Sequence, residues 1–207
     1  MYIPTFNQIS DRLMLLEAMR AYSFAILFGP SSSPEAPAPL SATHIPLVVK
    51  DSGPHGLLEG HFARANGHWQ ALAGRELLVV FPGPHAYVSP TLYEEPLSVP
   101  TWNYVAIHAY GVLTPVEDEP GKEAILSSLM QTHEPAFLDK WLGMPVEYRR
   151  SMLTGIVGFR MAIARIEGKF KLSQNRSEAE RRNIHAAQSA GTPDEQALAG
   201  WMARLIP

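Results

Sequence analysis

Leu77-Leu78-Val79-Val80-Phe81, then Pro82-Gly83-Pro84-His85-Ala86-Tyr87-Val88-Ser89-Pro90, a loop, and Val99-Pro100-Thr101-Trp102-Asn103-Tyr104: this stretch decides how the chain is read. The apolar run Leu77–Phe81, bounded by turn residues, predicts a buried strand. The segment after it is too rich in proline for a helix and too aromatic for a plain solvated loop. Trp102-Asn103-Tyr104 opens an alternating stretch to Leu113 that predicts a further strand. Its two faces, one led by Trp102 and one by Asn103, are both largely apolar, so it is expected to be covered on both sides. Aromatic faces and amides on a rigid sheet rim suit a flat, polar-edged ligand; a rigid loop over a barrel end has the same composition.

Working outward, Asn7–Arg20 predicts an amphipathic helix with Ile9, Leu13 and Leu16 as its stripe. Tyr22–Phe28 predicts a buried strand, and Gly29–Pro39 an exposed loop. Ser41–Val49 predicts a strand with Pro46 at an edge or bulge. The turn Asp51–Gly56 joins it to a strand from Leu57 to about Phe62. A short helix follows over His68–Ala73, with Gly74 at its end. After Pro115–Gly121, helices are expected over Lys122–Thr132 and Glu134–Arg150. The strand Ile156–Glu167 places Val157, Phe159, Met161 and Ile163 on one face. Helices over about 176–205, broken near Gly191-Thr192-Pro193, complete the chain. Strands with helices at their ends predict a single antiparallel α+β domain over 1–207, of the small closed-barrel kind.

At 207 residues and 46% hydrophobic, the chain is long and apolar enough to build a good core. It has no cysteine, which removes disulfides, thiol nucleophiles and thiolate metal sites and fits a reducing compartment. No apolar run spans a bilayer and no leader pattern opens the chain, so a soluble, cytoplasmic protein is expected. The net charge of -3 offers nothing global to nucleic acid.

Four groups of residues carry candidate chemistry. Gly60-His61-Phe62-Ala63-Arg64-Ala65-Asn66 places His61 at a strand end and Arg64 and Asn66 at a turn before a helix. An arginine fork with N–H groups at a helix start can cradle a phosphate; the alternative is an arginine paired with a carboxylate such as Glu59 or Glu76. Thr43 and His44 lie near His61 if the hairpin forms. The eight histidines show no His-Glu-x-x-His spacing, so no metal site is expected. The basic segment 169–182 can meet a cofactor phosphate or DNA. Arg181 and Arg182 read as the solvated face of a helix, whereas Lys171 and Gln174, just past a strand, are better placed for a ligand.

Taken together, Met1-Tyr2-Ile3-Pro4, Thr43-His44-Ile45-Pro46-Leu47, Gly60–Asn66, Phe81–Pro90, Val99–Tyr104, Ile156-Val157-Gly158-Phe159 and Ile166–Arg176 resemble the PaiB family, in that family's order and over nearly the whole chain. PaiB proteins are described as negative transcriptional regulators of sporulation and protease production and are grouped with the FMN-binding split barrels. The resemblance implies a six-stranded antiparallel split β-barrel with peripheral helices, and a homodimer with flavin mononucleotide (FMN) sites at its interface. Arg64 and Asn66, flanking Ala65, would then contact the phosphate, with His61 beside them. Thr43 and His44 would line the neighbouring strand. Trp102 and Asn103 would reach the flavin from the partner subunit, and Lys171 and Gln174 would close the site. Whether such a protein is a flavin-dependent oxidoreductase or a regulator is left open. The alternatives are a DNA- or protein-binding regulator without redox chemistry, recognised by Arg181 and Arg182, and a haem-handling barrel with His61 or His185 as axial ligand.

Overall fold

The computed structural model describes residues 1–31 and 40–205; most of the expected loop Gly29–Pro39 lies outside them. A 3-10 turn at Thr5–Asn7 leads into β1 (Gln8–Ile9) and α1 (Arg12–Ala21). The predicted first helix therefore begins later, because Gln8 and Ile9 pair with Lys169 and Gly168 instead of entering it. Its buried side is Leu15, Leu16, Ala18 and Met19, and Leu13 is 64% exposed.

β2 (Phe24–Pro30) pairs antiparallel with β3 (Leu40–Pro46). Pro46 ends β3, Leu47 is fully buried, and β4 (Val48–Lys50) forms the expected hairpin with β5 (Leu57–Ala63). Gly56 makes that hairpin possible. Its φ is +104°, and a Cβ there would sit 2.8 Å from Leu16 and 3.2 Å from the Lys50 carbonyl. α2 (His68–Leu72) follows.

β6 (Glu76–Val88) runs straight through Pro82-Gly83-Pro84, where the sequence predicted a strand ending at Phe81. Pro82 and Pro84 are two residues apart, so both missing donors fall on the same edge of the strand. β2 pairs only with Leu78–Val80, so its ladder stops before the prolines begin. Gly83 is needed for close approach: a Cβ would lie 2.9 Å from the Val105 carbonyl.

β7 (Thr101–Val116) buries Asn103, Val105, Ile107, Ala109 and Leu113 and leaves Trp102 and Val112 about half exposed. The expectation of cover on both faces is corrected: this is an antiparallel strand with one core face. α3 (Glu119–His133), α4 (Pro135–Leu142) and α5 (Val146–Thr154) lead to β8 (Ile156–Lys171), whose Val157, Phe159, Met161 and Ile163 are buried as expected. α6 (Glu178–Ser189) opens with a capping box between Ser177 and Glu180, and α7 (Pro193–Leu205) begins after the predicted break.

The strands hydrogen-bond in the order β3-β2-β6-β7-β8-β5-β4, with β1 added on β8. Six are long and two, β1 and β4, are short additions. Contacts divide the chain into two compact units. The first comprises Met1–Asp11, Pro82–Ile107 and the chain from Glu167; in it Trp201 meets Phe170 edge-on at 5.1 Å, with Leu172, Ile184, Leu198 and Met202 buried. The second comprises Arg12–Phe81 and His108–Ile166; its core includes Phe62 and Phe159, with ring centroids 5.2 Å apart. There, buried Glu59 bridges Lys50 at 2.6 Å and Arg160 at 2.8 Å. Burial would raise its pKa, but these two cations more than offset that and hold it below the usual carboxylate value. Among the described residues, no helix is long and apolar enough to cross a membrane.

Candidate functional site

In the second unit, the candidates gather where β5 turns into α2. His61 pairs with Gly158 of β8, and Ala63 with Ile156. The turn closes through the Asn66 N–H, which donates to the Ala63 carbonyl at 2.9 Å. Asn66 Oδ1 then accepts from the His68 N–H at 3.1 Å, the local bond that starts α2. Gly29 lets α2 lie against β2, since a Cβ there would come within 2.1 Å of Leu72.

Thr43, on β3, accepts from the Asn66 amide at 3.4 Å and is bonded to His68 Nδ1 at 2.8 Å. The Thr43 hydroxyl and His68 Nδ1 share one hydrogen, and which of them donates is set by the imidazole tautomer. Burial holds His68 below the ordinary imidazole pKa, with the Pro30 backbone opposing part of that shift. The sequence reading left His68 out of the site. Its signal was the spacing Asn66-x-His68, an Asx residue two before a helix start. His44 stands apart from this network, its ring 6.2 Å from that of Phe24. His61 Nδ1 is buried with no hydrogen-bond partner among the described residues. Burial keeps this imidazole below its usual pKa and hence neutral at pH 7.

Arg64 is a latch. Nε donates to the Thr154 carbonyl at 3.0 Å, Nη2 to the Ile156 carbonyl at 3.2 Å, and Nη1 to Glu117 at 3.1 Å. The carboxylate pairing anticipated as an alternative is present, but with Glu117 in place of Glu59 or Glu76. A guanidinium carries five N–H donors. Each terminal nitrogen here uses one, so each keeps a second for an incoming oxygen, and the side chain is 42% exposed. Ala65 is exposed beside it.

The other four candidates lie in the first unit. Trp102 is half exposed, near His85 at 6.0 Å and Tyr87 at 6.1 Å. Asn103 is fully buried: its Oδ1 accepts from Ser173 at 2.9 Å and its amide faces the Met202 sulfur. Gln174 accepts from the Leu172 N–H at 2.7 Å and donates to the Phe170 carbonyl. Both amides hold the turn that leaves β8, in which Ser173 takes a φ of +63°. Lys171 Nζ donates to Thr101 Oγ1 and to the Trp102 carbonyl, each at 2.5 Å.

Lys171 also lines a cleft of about 290 Å³, with Tyr2, Phe6, Thr101, Lys169 and Arg176 among its walls. Burial, Lys169 and Arg176 together hold Lys171 below the usual lysine pKa. Further along the basic segment, Arg181 donates to the Arg176 carbonyl at 3.0 Å and Arg182 pairs with Glu178. Those two arginines serve their own helix.

Residues 1–165 match the family model described as "Putative FMN-binding domain". Over 210 residues, covering 98% of this chain and 96% of the relative, the sequence is 34% identical to the protease synthase and sporulation protein PAI 2 of Bacillus subtilis. The chain belongs to the PaiB family. An uncharacterized protein of Emericella nidulans is 29% identical over 223 residues, 89% of this chain and 88% of that one. Among solved structures, the flavocytochrome Anf3 of Azotobacter vinelandii superposes with a TM-score of 0.62 at 13% identity, covering 82% of this chain and 72% of that one. At that identity the likeness speaks to fold. The fold is the antiparallel α+β split barrel expected of the PaiB family, with β1 and β4 added to its long strands.

Proposed function

We propose that this PaiB-family chain acts as a single FMN-binding domain, and that the β5–α2 turn receives the cofactor's phosphate end. The observation that carries this is the match to an FMN-binding family over residues 1–165, a span that contains the whole turn. The residues fit the group. Arg64 keeps a second hydrogen on each terminal nitrogen for phosphate oxygens. Asn66 and Thr43 are already positioned by His68. The unpartnered Nδ1 of His61 offers a polar contact to the ring system. FMN supplies redox chemistry when bound. The chain's own residues bind it, orient it and keep a neutral imidazole beside it.

Asn103 and Gln174 hold the turn that follows Lys171 and are not proposed to touch the cofactor at the β5–α2 turn, since neither amide faces outward. The exposed Trp102, His85 and Tyr87 cluster supports a homodimer in which a second copy covers that face. The Bacillus relative's name as a protease synthase and sporulation protein supports carrying over the regulatory role that the PaiB resemblance implies. Direct DNA binding through Arg181 and Arg182 has less support, because both are engaged on α6.

The test is a fluorescence titration of the purified protein with FMN. Saturable quenching is expected, weakened about ten-fold or more in Arg64→Ala, the loss of charge-assisted hydrogen bonds to phosphate. No quenching at large FMN excess overturns the reading.

A further inference from the structure

The cleft of the first unit poses a separate problem in electrostatics. Lys169, Lys171 and Arg176 all line it, and among the described residues no carboxylate does. Lys169 is 8% exposed and donates to the Tyr2 carbonyl at 3.1 Å; its ammonium lies 5.4 Å from the Tyr2 ring and 5.3 Å from the Tyr104 ring. Lys171 donates to a hydroxyl and a carbonyl. Arg176 stacks on Tyr93 at 3.7 Å and pairs with the buried Glu180 at 3.9 Å. Neutral oxygens and ring faces satisfy donors but do not cancel charge. Lys169 and Arg176 both repel the charge on Lys171, and burial removes the water that would screen it. Such an arrangement is costly for a bare protein and is relieved by an anion.

The cleft walls also specify shape. Tyr2 is 83% exposed and Phe6 55% exposed, so two aromatic rings beside the cations have uncovered surface. An ammonium has three donors, and Lys169 and Lys171 do not use all of theirs. We propose that this cleft binds a planar aromatic phosphate monoester, its phosphate facing Lys169, Lys171 and Arg176 and its ring lying against Tyr2 and Phe6. The site is independent of the β5–α2 turn and stands whether or not FMN binds there. Two sources share this chemistry: a second phosphorylated ligand, or FMN itself.

Calorimetric titration of the full chain with phenyl phosphate, inorganic phosphate and phenol tests it, in wild type, Lys171→Gln and Arg176→Gln. Unfolding temperatures confirm that each variant is folded, and Arg176→Gln serves if Lys171→Gln is not. Phenyl phosphate should bind more tightly than either fragment, and each substitution should weaken it about ten-fold. A parallel titration compares FMN with riboflavin. If Lys171→Gln leaves FMN affinity intact, the ligand is a second molecule. If it weakens FMN about ten-fold and spares riboflavin, the cleft holds the flavin's own phosphate, and the assignment of that phosphate to Arg64 falls. Failure of FMN to bind at all, with phenyl phosphate still bound, removes the cofactor reading and leaves the cleft in place. Phenyl phosphate binding no more tightly than phenol, or equally in folded variants and wild type, overturns the proposal.

Discussion

The β5–α2 turn and the cleft beside β8 both present cations, and they treat them in opposite ways. Arg64 is held by a carboxylate and two carbonyls and stabilises the protein around it. Lys169 and Lys171 share a cleft with no carboxylate among its described walls. A cation whose neighbours neutralise it is part of the architecture first and of a site second. A pair of lysines held without a carboxylate is what the proposed anion would relieve. The distinction depends on what surrounds the charge, which residue type alone does not disclose.

Substitutions can break or sharpen this contrast. The largest effect on folding is expected from Asn103→Ala, which strands the buried Ser173 hydroxyl and opens a cavity beside Met202. It should cost about 2–3 kcal/mol in urea unfolding and weaken phenyl phosphate binding by loosening the Lys171 turn. Next, Arg64→Ala should lower the stability of the ligand-free protein by about 1 kcal/mol, the discount reflecting its exposure. Lys171→Gln should lower it less or not at all, because it also removes repulsion from Lys169 and Arg176. Equal losses from the two would erase the contrast.

Titration gives a smaller, signed effect. His61 and His68 are depressed in the folded state, so the unfolded chain takes up protons first. Stability should be fully present above pH 6.5 and fall as pH drops through 6.5 toward the folded values. His61→Gln should flatten part of that slope. Lys171, also depressed, acts at the alkaline end. There stability should rise as pH climbs from its folded pKa toward the ordinary lysine value of 10.5. The smallest effect is expected from Arg182→Ala, whose exposed pair with Glu178 should contribute less than about 0.5 kcal/mol.

Much of the fold was legible because periodicity is local. β8 shows its buried face in Val157, Phe159, Met161 and Ile163, and the break before α7 is written in Gly191-Thr192-Pro193. β6 was cut short because two prolines in a row of three argue against a strand, and only the extent of the β2 pairing explains them. The first helix was misplaced because Gln8 and Ile9 answer to a strand far along the chain. The site residues follow the same rule. Arg64 and Asn66 stood out as a motif, but Glu117, which holds Arg64, is 53 positions away. Asn103 looked outward in an aromatic run, and its burial depends on Ser173 and Met202. Tyr2 reaches Lys169 across 167 positions, a neighbourhood that only folding creates.

Phosphorus NMR of the protein with equimolar FMN and phenyl phosphate puts the central contrast to the test in one sample. Two bound resonances are expected: FMN's moves in Arg64→Ala only, and phenyl phosphate's in Lys171→Gln only. A single bound species, or two that answer to the same substitution, would contradict the division of labour between the turn and the cleft.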